Sequence, residues 1–338
     1  MPATPQAIHD LAVHHRIALN RYSNTVVRRV LALVRRVEGS ILVRLTAADL
    51  TDLNRARLEQ TLEELRRIEA QGWQAIDQRL LADLDALAEN ELDFGSRLAE
   101  AAGATRVEIM SGRPSLTQVI AAARARPFSG RVLKDWLKDA EEGQARRVRE
   151  IIRQGVVEGQ TIDQMVRAIR GTRAAQYRDG ALETSRRSAE TMVRTAITHV
   201  ANVAHQQVFE ANADVITGVI WTSTLDSRTS NVCMARSERV YPLNSGPRPP
   251  AHPNCRSVMR PQIEPIPGVT PFEPKSYGQW LKGQSAEIQD DILGPKRGAL
   301  FRRGGLALDR FVDHAGKTLT LAQLRSRDAA AFRRAGLE

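Results

Sequence analysis

Apolar residues recur at helical spacing through almost all of the first hundred positions, which limits this chain to a mainly helical fold. Ile8, Leu11, Val26, Val30, Leu33, Val34 and Val37 share one stripe, and Gly39 is predicted to end it. Thr46-Ala-Ala-Asp49 then has the form of a capping box with Asp in the Glu/Gln place. The helix it starts carries Leu50, Leu53, Leu58, Leu62, Leu65 and Ile68 and is expected to stop near Gly72. A third stripe runs through Trp73, Ile76, Leu80, Leu84 and Leu87. Each helix would be about 25–30 residues, or roughly 40 Å long at 1.5 Å per residue. Helices of this length with narrow apolar stripes suit a long hairpin or bundle.

Glycines and prolines at 103, 112, 114, 127 and 130 mark a joint. Shorter helices are predicted over Arg131–Gln154, from a Thr161–Gln164 cap to Arg170, and over Leu182–Asn212. The period then changes. Val215, Ile216, Val219, Ile220 and Trp221 are β-branched, aromatic or strand-compatible and argue for a strand. Beyond it, ten of the fifteen prolines fall between Pro242 and Pro274, which predicts ordered loops or an extended wrap. The last sixty residues return to short helices separated by Gly294-Pro295, Gly304-Gly305 and Gly316. The expected fold is therefore mainly α with a small α+β C-terminal domain. Three parts follow: a partner-binding long-helix hairpin or bundle over 1–102, a helical core over 103–214, and a loop-rich α+β part over 215–338 with its proline-rich loop at 242–274.

The formal charge of +10 is unevenly distributed. Residues 1–45 carry a net +5, 46–100 a net −7, 101–214 a net +5 and 215–338 a net +7. A general polyanion binder would carry a more continuous basic face, so the acidic block suits contact with a basic partner or another part of the chain. Arg28, Arg29, Arg35, Arg36, Arg146 and Arg147 are the candidate nucleic-acid contacts in the basic flanks. No apolar run approaches the roughly 18 residues of a membrane span, and the start lacks a basic-then-apolar secretory pattern. The expectation is a protein made in a cytoplasm, with no membrane partner. Two cysteines cannot form a disulfide framework, and in a reducing compartment they are thiols or metal ligands.

The most informative stretch is Trp221 to Arg260. Cys233, His252 and Cys255 are three soft-metal ligands, and the H-x2-C spacing of the last two lets both converge on one ion from a tight turn. A tetrahedral zinc site takes a fourth ligand. Asp226 and His205 are candidates, and nothing in the spacing selects either. The alternative is a loop in which His252 bonds a carbonyl and both cysteines are small buried hydrophobes.

This stretch also resembles the phage Mu F-like minor head proteins and the related phage head morphogenesis family. The likeness is carried by Leu225, Asp226, Arg228, Thr229, Cys233, Tyr241, Pro249, Pro250, His252, Pro253, Asn254, Cys255 and Arg256. It extends to the Arg131–Gly171 helices, to Arg194-Thr195 and to the tail from Tyr277 to Leu324. Ser230 and Ser257 stand where many members have cysteine. A member with both cysteines could assemble a full zinc knuckle, whereas this chain keeps three strong donors. The expectation is thus a turn held by hydrogen bonds and packing, without a cofactor. Asp226 and Arg228 would pair with each other or cap backbone groups there. The resemblance implies a structural protein of the virion interior, not an enzyme. It would bind the portal or the major capsid protein during procapsid assembly and touch packaged DNA non-specifically.

The rival reading is a basic nuclease-like or zinc-supported nucleic-acid-binding protein. Phosphodiester cleavage generally needs clustered carboxylates or a second histidine, and the acids nearest His252 in sequence are Glu238 and Glu264. An ADP-ribosyltransferase-like domain would need a Glu-x-Glu pair, and Glu141-Glu142 is adjacent and helical. A DNA-binding adaptor differs mainly in what the basic regions touch. No catalytic residue is assigned.

Overall fold

The computed structural model describes residues 5–48, 55–103, 112–128, 130–263, 274–314 and 316–337. Asp49, Leu50, Leu53 and Glu264 lie outside these, as does the 264–273 part of the proline-rich stretch. In chain order the elements are α1 (Pro5–Thr46), α2 (Arg55–Gly103), α3 (Leu116–Ala125), α4 (Leu133–Val157), α5 (Ile162–Arg170), α6 (Ala181–Ala211) and β1 (Ile216–Thr222). There follow α7 (Asn231–Arg236), β2 (Val240–Pro242), β3 (Val258–Ile263), α8 (Tyr277–Lys282), α9 (Ala286–Leu293), α10 (Pro295–Arg302), a 3-10 turn (Leu308–Phe311), α11 (Leu321–Arg327) and α12 (Ala329–Ala335). The protein is mainly helical with one small antiparallel sheet, as the change of period predicts.

The chain divides into two compact units: Met1–Ala18, Glu89–Val119 and Ala201–Glu338 form one, Leu19–Ala88 and Ile120–Val200 the other. This partition and the three segments read from composition divide the chain by different criteria.

In the second unit the predicted stripes are mostly core, while Leu33, Leu58 and Ile68 are half-buried. Val26, Val30, Val34 and Ile41 of α1 and Leu65, Ile76 and Leu80 of α2 are nearly or fully buried. The same stripes run straight through both glycines expected to end helices. Gly39 lies inside α1 and Gly72 inside α2, so two helices of 42 and 49 residues replace the three shorter ones. A helix-interior glycine costs only about 0.5–1 kcal/mol relative to alanine, too little to interrupt a stripe buried on both sides of it. At Gly72 the small residue serves packing, because a Cβ there would stand 2.2 Å from Val37 Cγ2. α5 begins with a full capping box: Thr161 accepts from the Gln164 amide and the Gln164 side chain accepts from the Thr161 amide. Glu38 is buried and takes three bonds of 2.7–3.1 Å from Arg186 of α6. Burial pushes the Glu38 carboxyl above its ordinary value, and the guanidinium fork offsets only part of that cost.

In the first unit the sheet has the order β2-β1-β3, all antiparallel. Val219 faces Tyr241 on one side and Pro261 on the other. Proline density predicts a loop or extended wrap over 242–274, whereas 258–263 within it forms strand β3. Proline is tolerated since β3 is an edge strand of this sheet, where the missing N–H leaves no inner ladder bond unmade. Tyr277, Leu281, Leu300, Phe311, Leu324 and Ala331 gather the short C-terminal helices into one apolar cluster. No helix among the described residues is long and apolar enough to cross a membrane.

Opposite outcomes are expected at the two glycines. Gly39 is exposed and its Cβ position meets nothing within 4 Å, so Gly39→Ala should raise stability by about 0.5–1 kcal/mol. Gly72→Ala should lower it by about 1–3 kcal/mol through overpacking against Val37. Urea unfolding midpoints of both variants against the parent measure the pair.

Candidate functional site

The stretch singled out in the sequence folds into a single turn complex between β1 and β3. Its anchor is Asp226, which accepts two bonds of 2.6 Å from Arg256, Nη1 to Oδ2 and Nη2 to Oδ1. The same carboxylate caps its own loop, accepting from the Arg228 amide at 3.0 Å and from Thr229 Oγ1 at 3.2 Å. The Asp226 carbonyl accepts from the Tyr277 hydroxyl at 2.6 Å. Of the two roles expected for Asp226, backbone capping is present. Its ionic partner is Arg256, thirty residues on, while the Arg228 guanidinium stands 3.9 Å away and is 82% exposed. Burial disfavours the Asp226 charge, but the Arg256 bonds and charge outweigh it and hold the carboxyl below its ordinary value.

From this anchor the chain enters α7. Ser230 is its N-cap, accepting from the Cys233 amide. Trp221 Nε1 donates to Ser223 Oγ at 3.1 Å, and Ser223 donates to the Cys233 carbonyl at 2.7 Å, which ties α7 to the end of β1. On the other side of the turn, Asn254 adopts a left-handed conformation with φ of 59°, a geometry Asn tolerates. This reversal brings His252 and Cys255 back over Cys233.

The three candidate ligands therefore meet. Cys233 Sγ lies 3.7 Å from Cys255 Sγ and 3.3 Å from His252 Nε2. His252 Nδ1 donates to the Pro253 carbonyl at 2.8 Å, which directs Nε2 inward to Ser230 Oγ at 2.7 Å. Neither suggested fourth ligand joins them. Asp226 is committed to Arg256, and His205 stands 2.9 Å from Glu91 in a separate cluster. The sulfur separation matches the edge of a zinc tetrahedron, about 3.8 Å for Zn–S bonds of about 2.3 Å. The donor chemistry does not complete it. The fourth place falls to the Ser230 hydroxyl, and Ser257, 2% exposed, presents a second hydroxyl to Cys233. Two thiols, one imidazole and hydroxyls do not make the closed four-ligand set of a structural zinc site.

The electrostatics of the cluster follow from its burial. Cys255 is held well below the ordinary thiol value, chiefly by the Cys233 thiol donating to it and then by His252, against the penalty of burial. Cys233, the donor, is raised by that same bond and by desolvation. Desolvation would lower His252, but the adjoining Cys255 and the Pro253 carbonyl raise it. A buried cation completes the set. Arg16 of α1, 7% exposed, donates Nη2 to the Cys255 carbonyl at 3.3 Å, and burial pushes its own value down to about 10. Both sulfurs are nearly inaccessible, and the adjoining cleft is about 10 Å3, room for about one water.

Of the positions read from the sequence, Asp226, Thr229, Cys233, His252, Asn254, Cys255 and Arg256 assemble in this turn, and Arg228 joins it through its amide while its exposed guanidinium stands 3.9 Å from Asp226. The six candidate nucleic-acid arginines lie in the other unit. Arg28, Arg35, Arg36 and Arg146 are exposed there. Arg29 pairs with Asp83 at 2.9 Å, and the half-buried Arg147 donates to Ser185 Oγ at 2.9 Å. Sequence reasoning missed Arg16 and Tyr277, which lie 239 and 51 residues from their partners in the turn. Ser230 carried a readable signal, since Ser before a short helical run is an N-cap.

The Asp226–Arg256 pair should behave as follows. At neutral pH, Asp226→Asn should cost about 1–3 kcal/mol, and Arg256→Lys should not restore the two-pronged contact. A carboxyl depressed in the folded state contributes fully above its unfolded value, about 3.9, and loses that contribution as pH falls through the folded one. The stability difference between parent and Asp226→Asn should thus be constant above about pH 4–5 and shrink below it, as read by urea unfolding across pH.

Residues 146–260 match the family model described as Phage Mu protein F like protein. No curated protein and no solved structure matches the chain. The match starts within α4, runs through α5, α6 and β1, and ends inside β3, so it contains the whole Asp226–Arg256 turn. The likeness read from sequence in 131–145 and in the 277–324 tail lies beyond its ends. Over residues 146–260, about a third of its length, this chain is similar to the Phage Mu F-like proteins.

Proposed function

We propose that this protein is a structural component of a tailed-phage head, acting in head morphogenesis by binding the portal or the major capsid protein. The observation that carries the reading is the Phage Mu F-like match, which encloses the turn where Asp226, Arg256, Cys233, His252 and Cys255 gather. The chemistry of that turn supports binding over catalysis. Both carboxylate oxygens of Asp226 are occupied by Arg256, and the sulfur with most thiolate character, Cys255, is 1% exposed. A nucleophile or base must reach substrate, and these groups reach each other. The turn acts as a rigid brace for β1, α7 and β3, and no step of the proposal runs through a metal.

Exposed Arg28, Arg35, Arg36 and Arg146 would let the helices lie against packaged DNA. Such contact neutralises phosphates without reading bases, so it weakens steeply with salt and shows no sequence preference.

The expected outcome is co-purification of the protein with procapsids or with isolated portal, and normal incorporation of a folded His252→Ala variant. Failure to associate with either portal or shell protein overturns the proposal. So does cleavage of plasmid DNA by the parent that is lost in His252→Ala. Charge reversal at Arg35 and Arg36 should weaken DNA binding equally for unrelated sequences and flatten its salt dependence.

A further inference from the structure

A second cluster of ionisable groups lies in the same unit, outside the turn and outside the family match except for one member. His15 of α1, Glu91 of α2 and His205 of α6 converge with all their ligating atoms within 4.8 Å of one another. We propose that these three side chains form a binding site for a divalent transition-metal ion.

The geometry fits that chemistry. His15 Nε2 lies 2.9 Å from both Glu91 oxygens, and His205 Nε2 lies 2.9 Å from Glu91 Oε2. Cis ligands at about 2.1 Å from one metal are about 3 Å apart, the edge expected for a two-histidine, one-carboxylate face. Three helices supply one ligand each, as in metal sites built inside helical bundles.

Hydrogen bonding alone leaves the cluster poorly satisfied. The His15 N–H would be split between two oxygens of one carboxylate. His205, 2% exposed, stands 2.9 Å from Glu91 Oε2 at ion-pair distance, but neither of its ring nitrogens makes a hydrogen bond of good geometry. An imidazole buried in that condition is costly, and a cation shared by Nε2 and the carboxylate would remove much of the cost. The rings are also fixed in place. Phe94 stacks flat on His15, with centroids 3.4 Å apart and planes 6° apart, and packs obliquely on His205 at 5.4 Å. Glu91 and His205 are each 2% exposed, and the 19% exposure of the His15 side chain leaves an approach from solvent.

Titrating the full-length protein with Co2+ tests the site, because cobalt reports sulfur ligation optically and so separates this cluster from Cys233 and Cys255. One equivalent should bind without a thiolate-to-cobalt charge-transfer band. In His15→Gln, the most exposed ligand, that binding should weaken by at least about 100-fold while the circular dichroism stays that of the parent. The proposal is overturned if no cobalt binds, if all bound cobalt carries the thiolate band, or if a folded His15→Gln binds as tightly as the parent. Should His15→Gln not fold, X-ray absorption on the cobalt-loaded parent decides alone. A nitrogen and oxygen shell with imidazole scattering supports the site, and a shell containing sulfur only, or lacking imidazole, overturns it.

Discussion

The Asp226–Arg256 pair is the contact that closes the turn between β1 and β3. Two parallel 2.6 Å bonds close a thirty-residue excursion between β1 and β3. That excursion holds only a short helix, α7, and a three-residue strand, β2, and its second half is dense in proline. A guanidinium fork on a carboxylate supplies direction as well as energy, and the Asp226 oxygens also order their own loop through the Arg228 amide and Thr229. With that knot tied, α7 is oriented at one end and the His252–Cys255 reversal at the other. Cys233, His252 and Cys255 meet because of it.

The interior of this unit carries an unusual load of ionisable groups. Arg16, Glu91, His205, Cys233 and Cys255 are all nearly inaccessible. Each would be costly alone. The turn cluster distributes charge over a thiol pair, an imidazole and the guanidinium of Arg16. The helical cluster places one carboxylate between two imidazoles. Such arrangements constrain side chains more tightly than apolar packing does, since each requires a direction as well as a volume.

How much was legible in the sequence follows the range of each interaction. Local signals were readable. Thr161 and Gln164 cap each other three residues apart, and the buried stripes of α1 and α2 are the ones that the 3.6-residue period picks out. Gly39 and Gly72 misled because a glycine's helix penalty is small beside the burial on either side of it. Pro261 misled because proline is excluded only from inner strands, and strand order cannot be read before the sheet is assembled. At the site, the identities of Cys233, His252 and Cys255 are visible as residue types, and so is the capping role of Asp226 in its own loop. Its two short ionic bonds, to Arg256, reach across the turn, beyond what local spacing can select.

The sequence by itself determined the helical class, the place where the period switches to a strand, and the motif that links 146–260 to Phage Mu F-like proteins. These depend on neighbours within a few residues, or on residue identities alone. Only the tertiary structure decided that Asp226 serves Arg256, that Ser230 takes the position nearest His252, and that His205 leaves the cysteines for Glu91 and His15. Those groupings join residues up to 190 positions apart. They are selected by which buried charges can find compensation once the helices and strands have packed, and no spacing rule along the chain encodes that.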